Sequence, residues 1–247
     1  MSGKLALLLL VFILRAGTRL IRLSTFLTRF WLRHGGSQRR PGTRVWIDVG
    51  AHRGETTFEQ ARSNPDLVVY AFEPDVSIAS HRYALLDNFI VIPMAVSDRD
   101  GFREFHLNSN DRTSSLLPLD HNAMQGWRGV SNLHTVQRLT VPTIRLDTFL
   151  SAMRIESVEY LKIDAQGHDL EVIRSLGNRI RDVAELRVEA CAAAQPMYSG
   201  AHNSVNNIIA FMQGQGFELS ENSPETLGQE ANLAFRQQCG SSTLVSN

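Results

Sequence analysis

From Arg44 onward, short apolar runs alternate with stretches of helical pattern. This alternation constrains the fold more than any other feature of the 247-residue chain. "RVWIDVGA" reads as a buried strand and "GETTFEQARS" as a helix opening at Gly54. "DLVVYAFEP" is a second strand ended by Pro74, "SIASHRYALLDN" a helix, and "FIVIPMAVS" a third strand. The strands are nearly continuous apolar runs, as in a sheet covered on both faces. Strand and helix in strict alternation predict a mainly parallel α/β sheet.

The rhythm then pauses. "GFREFHLN" and "VQRLTVPTI" have the pattern of antiparallel strands, and the polar stretch 109–135 between them is long enough to be a lid or binding loop. "LDTFLSAMR" is a helix, "YLKIDAQG" a fourth core strand, and "HDLEVIRSLGNRI" the helix after it. "DVAELRVEA" is a fifth strand, and "SVNNIIAFMQGQG" is a helix stopped by glycine. "FELSEN" and "ANLAFRQQ" close the chain as an antiparallel pair. No internal repeat or low-complexity run interrupts this order.

Charge divides the chain where the alternation begins. Residues 1–44 hold nine basic residues and no acid, leaving 16 basic against 25 acidic in the remainder. An acidic body excludes a broad nucleic-acid-binding face on the folded domain. Cys191 and Cys239 form no C-x-x-C pair and no disulfide framework, which points to a reducing compartment.

"LALLLLVFIL" (5–14) would span ~15 Å as a helix, half of what a bilayer core requires. Beyond it, Arg15, Arg19, Arg22, Arg29 and Arg33 fall within an arc of roughly 80° at helical periodicity. Residues 1–33 are therefore expected to form an amphipathic basic helix suited to an anionic membrane surface. A spanning helix with snorkelling arginines, a signal peptide and a helix packed on protein are the alternatives. If the segment spans, its arginine excess puts the folded domain on the cytoplasmic side. "HGGSQRRPGT" (34–43) reads as a linker. The domain proper is 44–247. Oligomeric state is left open.

The chemistry gathers at "WIDVGAHRGETT". Ligands of open α/β sheets sit at the carboxyl ends of the strands. Gly50 supplies a positive φ there, and Gly54 allows close packing. The spacing is not G-x-G-x-x-G, and Asp48 would oppose a pyrophosphate. A phosphate-free cofactor carrying an ammonium and a sulfonium, S-adenosylmethionine, would be attracted instead. Glu73, nineteen residues after Gly54, stands where an acid takes the two ribose hydroxyls.

"WIDVGAHRGETT", "VYAFEPD", "AVSDRDG", "TIRLDTFL", "YLKIDAQGHDLEVIRS" and "LRVEA", in this order, resemble the FkbM-type S-adenosylmethionine-dependent methyltransferases over roughly residues 44–216. The resemblance implies a class I methyltransferase (Rossmann-like) fold with seven strands, the last antiparallel. It implies methyl transfer to a hydroxyl of a sugar, glycan or secondary metabolite. Asp48, Gly50 and Gly54 would line the methionine end of the cofactor, Glu73 would hold the ribose, and the segment from Ala95 to Asp98 would lie near adenine. The family pattern K-I-D-V-E-G-x-E appears here as Lys162, Ile163, Asp164, Ala165, Gln166, Gly167, His168 and Asp169. Gln166 in place of glutamate removes a charge, and Asp169 shortens the second acid.

Asp164 is the best-placed acid to bind or deprotonate a hydroxyl acceptor, and His168 is a second candidate base. Lys162 shares a strand face with Asp164, and Glu189, ending the fifth strand, is an expected acceptor contact. His121, Trp127, His134, Ser114 and Ser115 are candidate substrate contacts in or beside the long connection. No metal-ligand spacing appears; Asp164 with Glu189 is the nearest approach to a divalent-cation pair. A nucleotide-dependent oxidoreductase would need the dinucleotide spacing that is missing. A non-catalytic scaffold of the same fold is supported only by Gln166.

Overall fold

The computed structural model describes residues 42–82, 84–130 and 132–238. The amphipathic helix expected over 1–33 and nearly all of the linker lie outside them. In chain order the strands are β1 (Arg44–Val49), β2 (Leu67–Phe72), β3 (Phe89–Ile92), β4 (Ala95–Val96), β5 (Gly101–Asn108), β6 (Thr135–Ile144), β7 (Val158–Ile163), β8 (Val183–Cys191), β9 (Phe217–Glu225) and β10 (Glu230–Gln237). The helices are α1 (Phe58–Ser63), α2 (Val76–Ala79), α3 (Leu146–Ala152), α4 (Asp169–Arg174) and α5 (Val205–Gly214).

Seven strands form one sheet in the order β3-β2-β1-β7-β8-β10-β9. β1, β2, β3, β7 and β8 are mutually parallel, and β10 runs antiparallel to both its neighbours. This is the seven-stranded arrangement with one antiparallel strand that the family resemblance implied. The parallel strands are buried on both faces, as their unbroken apolar runs require: Leu67, Val69, Ala71 and Phe72 of β2 are all essentially inaccessible. Phe149 of α3 packs edge-on against Tyr70 and Phe72, with ring centroids 5.2 and 4.9 Å away.

Three expected elements differ, each for a local reason. The first helix starts at Phe58 rather than Gly54, because His52 (φ 49°) and Gly54 (φ 73°) hold a left-handed turn that no α-helix can include. The helix expected over 77–88 is reduced to the four residues of α2. There, tertiary hydrogen bonds win over helical ones. Arg82 Nε donates to the Arg53 carbonyl, and Asn88 Nδ2 donates to the carbonyls of Ala61, Asn64 and Leu67. The third strand splits at Pro93, which has no N–H to continue a ladder. β3 stays in the main sheet. β4 pairs with β6, which with β5 makes a separate three-stranded sheet.

That small sheet carries the connection 109–134 back over the main sheet. Ser115 bridges to His106 on β5, and Leu119 bridges to Tyr198 beyond β8. Beneath it, β1 and β7 end together. Gly50 has φ 69°, and a Cβ at this position would lie 1.8 Å from the Asp164 carbonyl oxygen. Glycine is thus required by the neighbouring strand, in addition to any ligand. Gly50→Ala is expected to destabilise the domain by about 2 kcal/mol or more, combining left-handed strain with overpacking. An unchanged urea midpoint would contradict this.

Candidate active site

A cleft open to solvent lies at the carboxyl ends of β1, β2 and β7. Val49, Gly50, Phe72 and Asp164 come from the strand ends, and Met94 and Ala95 from the crossing between the sheets. Asp111, Arg112 and Ser114 come from the long connection.

Glu73 follows β2 directly and lines this cleft while 7% exposed. Each carboxylate oxygen accepts one backbone N–H, from His52 at 3.0 Å and from Asp75 at 2.9 Å. Burial pushes the carboxyl up to about 7 despite those two donors. The His52 ring packs between two acids, with Nδ1 2.9 Å from Glu55 Oε1 and Nε2 3.4 Å from Asp111 Oδ1. Arg53 pairs with Asp111 at 2.8 Å, and Arg112 with Glu55 at 2.9 Å. The turn after β1 and the first turn of the connection are thus laced together at the cleft mouth.

Behind the cleft floor lies a buried ion cluster. The Asp48 carboxylate is inaccessible and accepts the Thr57 hydroxyl at 2.6 Å. Its Oδ1 lies 3.3 Å from Lys162 Nζ, an ion pair without hydrogen-bond alignment. Lys162 Nζ donates to the Gly50 carbonyl at 2.9 Å and lies 3.6 Å from Asp164 Oδ2. Burial alone would pull the ammonium down, but Asp48 and Asp164 outweigh it and push its pKa above the ordinary lysine range.

At the end of β7 the chain turns sharply through Gln166 (φ 50°) and Gly167 (φ 91°). Asp169 stabilises that turn, accepting from Ala165 N at 2.6 Å, Gly167 N at 3.0 Å and Asn203 Nδ2 at 2.9 Å. Burial pushes its carboxyl up to about 7. Gln166 Nε2 donates to Asp164 Oδ1 at 2.7 Å and to Glu189 Oε2 at 3.0 Å. Burial, then the charges of Asp164 and Glu230, push the Glu189 carboxyl well above the usual range.

His168 lines the cleft but is poorly arranged as a base, contrary to the sequence expectation. Its Nε2 lies 3.2 Å from both Arg103 Nη1, which can only donate, and the Ser97 hydroxyl. That lone pair is therefore occupied. Burial and the Arg103 guanidinium pull its pKa down to about 4.

Of the residues expected at the cofactor, Gly50, Glu73 and Ala95 line the cleft, whereas Asp48, Gly54 and Asp98 do not. Asp48 was expected to face the ligand, yet its charge is turned inward to Lys162. Gly54 packs instead on Phe89, whose ring a Cβ would meet at 2.9 Å. Asp98 is half exposed and pairs with Arg103 at 3.1 Å. Lys162 and Glu189 lie beneath and beside Asp164. In the connection, Ser114 lines the cleft and Ser115 Oγ donates to the Gln166 carbonyl at 2.7 Å. Trp127 is buried, while His121 and His134 are exposed away from it. Among the described residues no group of three or more His, Cys, Asp or Glu is placed to hold a metal ion. Sequence reasoning missed His52, Asp111, Arg112 and Tyr198. The histidine between two glycines was a usable signal; the others carry no motif.

Residues 48–219 match the family described as the methyltransferase FkbM domain. The chain belongs to that family. The match takes in every cleft residue named above. The 2-O-methyltransferase NoeI of Sinorhizobium fredii is 27% identical over 135 residues, covering 52% of this chain and 56% of that protein. The chain thus spans little more than half of that relative's length. Among solved structures, the chain is similar to M. capricolum TrmK bound to S-adenosylhomocysteine, with TM-score 0.41, 11% identity, and 79% and 62% of the two chains covered. It is also similar to a fibrillarin/Nop5p complex, with TM-score 0.46, 13% identity, and 88% and 81% covered.

Removing the buried ammonium isolates the contribution of this FkbM-domain ion cluster. Lys162→Met leaves Asp48 uncompensated and is expected to destabilise by about 3–5 kcal/mol in urea titration, with Asp48→Asn in the same chain recovering much of the loss. A Lys162→Met chain as stable as its parent would refute the cluster's role.

Proposed function

We propose that the protein transfers a methyl group from S-adenosylmethionine to a hydroxyl oxygen of a sugar, glycan or similar polyhydroxylated acceptor. The observation that carries this is Glu73, held by two backbone amides inside the cleft with Asp164 facing the same space. Family membership supports methyl transfer, and the name of the NoeI relative supports oxygen as the acceptor atom. The Glu73 oxygens have spent one acceptor direction each on backbone N–H groups, leaving the others for a vicinal diol. Ala95 and Met94 form the apolar side against which the base packs. Asp48 acts indirectly, fixing the Gly50 turn through Lys162 and Thr57.

S-adenosylmethionine, when bound, would supply an electrophilic methyl group on sulfonium, and its transfer would leave a neutral thioether. The acceptor must be held about 3 Å from the methyl in line with its bond to sulfur. Asp164 is the group we assign to orient the hydroxyl and take its proton. His168 is assigned to the cleft wall, its imidazole kept neutral by burial and by Arg103. Glu189 and Lys162 act through Asp164.

We also propose that residues 1–33 hold the enzyme on an anionic membrane surface, on the strength of the arginine arc alone. Deleting 1–33 should move the protein into the supernatant on cell fractionation; unchanged sedimentation would refute the anchor.

Calorimetry with S-adenosylmethionine tests the cofactor site. Glu73→Gln is expected to weaken binding about tenfold or more, since hydrogen bonds to a charged acceptor contribute roughly 1.5–3 kcal/mol. The diol prefers the ionised carboxylate, and this carboxyl protonates near pH 7. Affinity should therefore be full above about pH 7 and fall as pH drops below it, a dependence that Glu73→Gln abolishes. Absence of binding, or affinity indifferent to Glu73, would sink the proposal. Transfer of labelled methyl into a small-molecule cell extract identifies the acceptor.

A further inference from the structure

At the end of the cleft beside Gln166, side-chain hydrogen bonds hold the turn after β7 on several sides. Gln166 sits at φ 50°, a conformation most side chains avoid. It is fixed from both sides: Ser115 Oγ donates to its carbonyl, and Asp169 accepts from the amides of its neighbours Ala165 and Gly167. Its side-chain amide has one permissible orientation. The nitrogen faces the Asp164 and Glu189 carboxylates, and Oε1 faces the Tyr198 hydroxyl at 2.8 Å. Reversing it would set an oxygen against two carboxylates.

We propose that Gln166 is a positioning residue: its amide draws Asp164 and Glu189 together and aims Asp164 into the cleft. This rests on the reading of Asp164 as the acceptor-facing acid. The charged and titratable groups acting on these carboxyls include Lys162 from β7 and Asp164 just after it, Glu189 from β8, Glu230 from β10, Asp169 from α4, and Tyr198. Lys162 is the only cation among them, and it is already committed to Asp48, Asp164 and the Gly50 carbonyl. Two carboxylates can share one small space because a neutral double donor stands between them. A glutamate here, as the family pattern has, would add a third carboxylate in its place. Tyr198, buried and also 2.8 Å from the Thr113 carbonyl, makes the amide a junction between the long connection and the end of β7.

Two measurements on the full chain decide this. The first needs no acceptor. The Gln166 side-chain amide resonances, identified by their loss in Gln166→Ala, should lie well away from those of a solvent-exposed glutamine and should shift when Glu189→Gln replaces one of the two acids. Tyr198→Phe should perturb the same pair. Amide resonances that resemble a solvent-exposed glutamine and respond to neither Glu189→Gln nor Tyr198→Phe would overturn the clamp. The second is the initial rate of label transfer from methyl-labelled S-adenosylmethionine to a small-molecule cell extract, taken as variant over parent at each pH. Gln166→Glu should fall about tenfold at about pH 9 and recover several-fold toward about pH 6, as the introduced carboxyl gains a proton and becomes a donor. Gln166→Ala should fall evenly across the range. Calorimetric affinity for S-adenosylmethionine should change less than about twofold in both. Equal rates, parallel flat losses, or losses matched by lost cofactor affinity would overturn the positioning role. If the parent transfers no label, the methyl-transfer reading fails while the amide resonances still decide the clamp.

Discussion

One buried ammonium organises the functional end of this domain. Lys162 rises from β7 into the space between the ends of β1 and β7 and meets Asp48, Asp164 and the Gly50 carbonyl. Without it, two carboxylates and a carbonyl would converge in a desolvated space, a costly arrangement. With it, the turn after β1 is drawn onto β7 closely enough that Gly50 has no room for a side chain. The cleft inherits its floor from that contact, and Glu73 and Asp164 hold their places relative to it.

The fold was largely legible in the sequence because its signals are local. Buried parallel strands write themselves as apolar runs, and the less apolar stretches 101–108, 135–144, 217–225 and 230–237 pair antiparallel as their composition suggested. The errors came where distant atoms outbid local preference. Nothing in "SIASHRYALLDN" shows that Asn88 will bind three carbonyls from the α1–β2 turn, and α2 is short for that reason. Pro93 was read inside one continuous strand, although it cannot continue a ladder, and nothing local shows that the chain changes sheets there.

The site was legible in part, and for a comparable reason. Glu73 and Gly50 occupy positions that topology alone dictates, and both line the cleft that spacing pointed to. Asp48 was located correctly but its direction was not. Whether a strand-end acid faces a ligand or a lysine depends on a residue 114 positions later in the chain, Lys162. His168 looked like a base from its residue type, whereas Arg103 and burial, both tertiary facts, keep it neutral. Gln166 read as a lost charge. In place it is a donor to two acids, which residue type alone does not reveal.

His52 has a consequence of a different kind. Its backbone amide holds one oxygen of Glu73, and its ring touches Asp111 of the connection that roofs the cleft. Both contacts depend on the same left-handed backbone conformation. The roof and Glu73 are therefore not two parts that happen to be adjacent but are joined through one residue. Entry to the cleft cannot be widened by lifting residues 111–112 without tugging on the residue that presents Glu73.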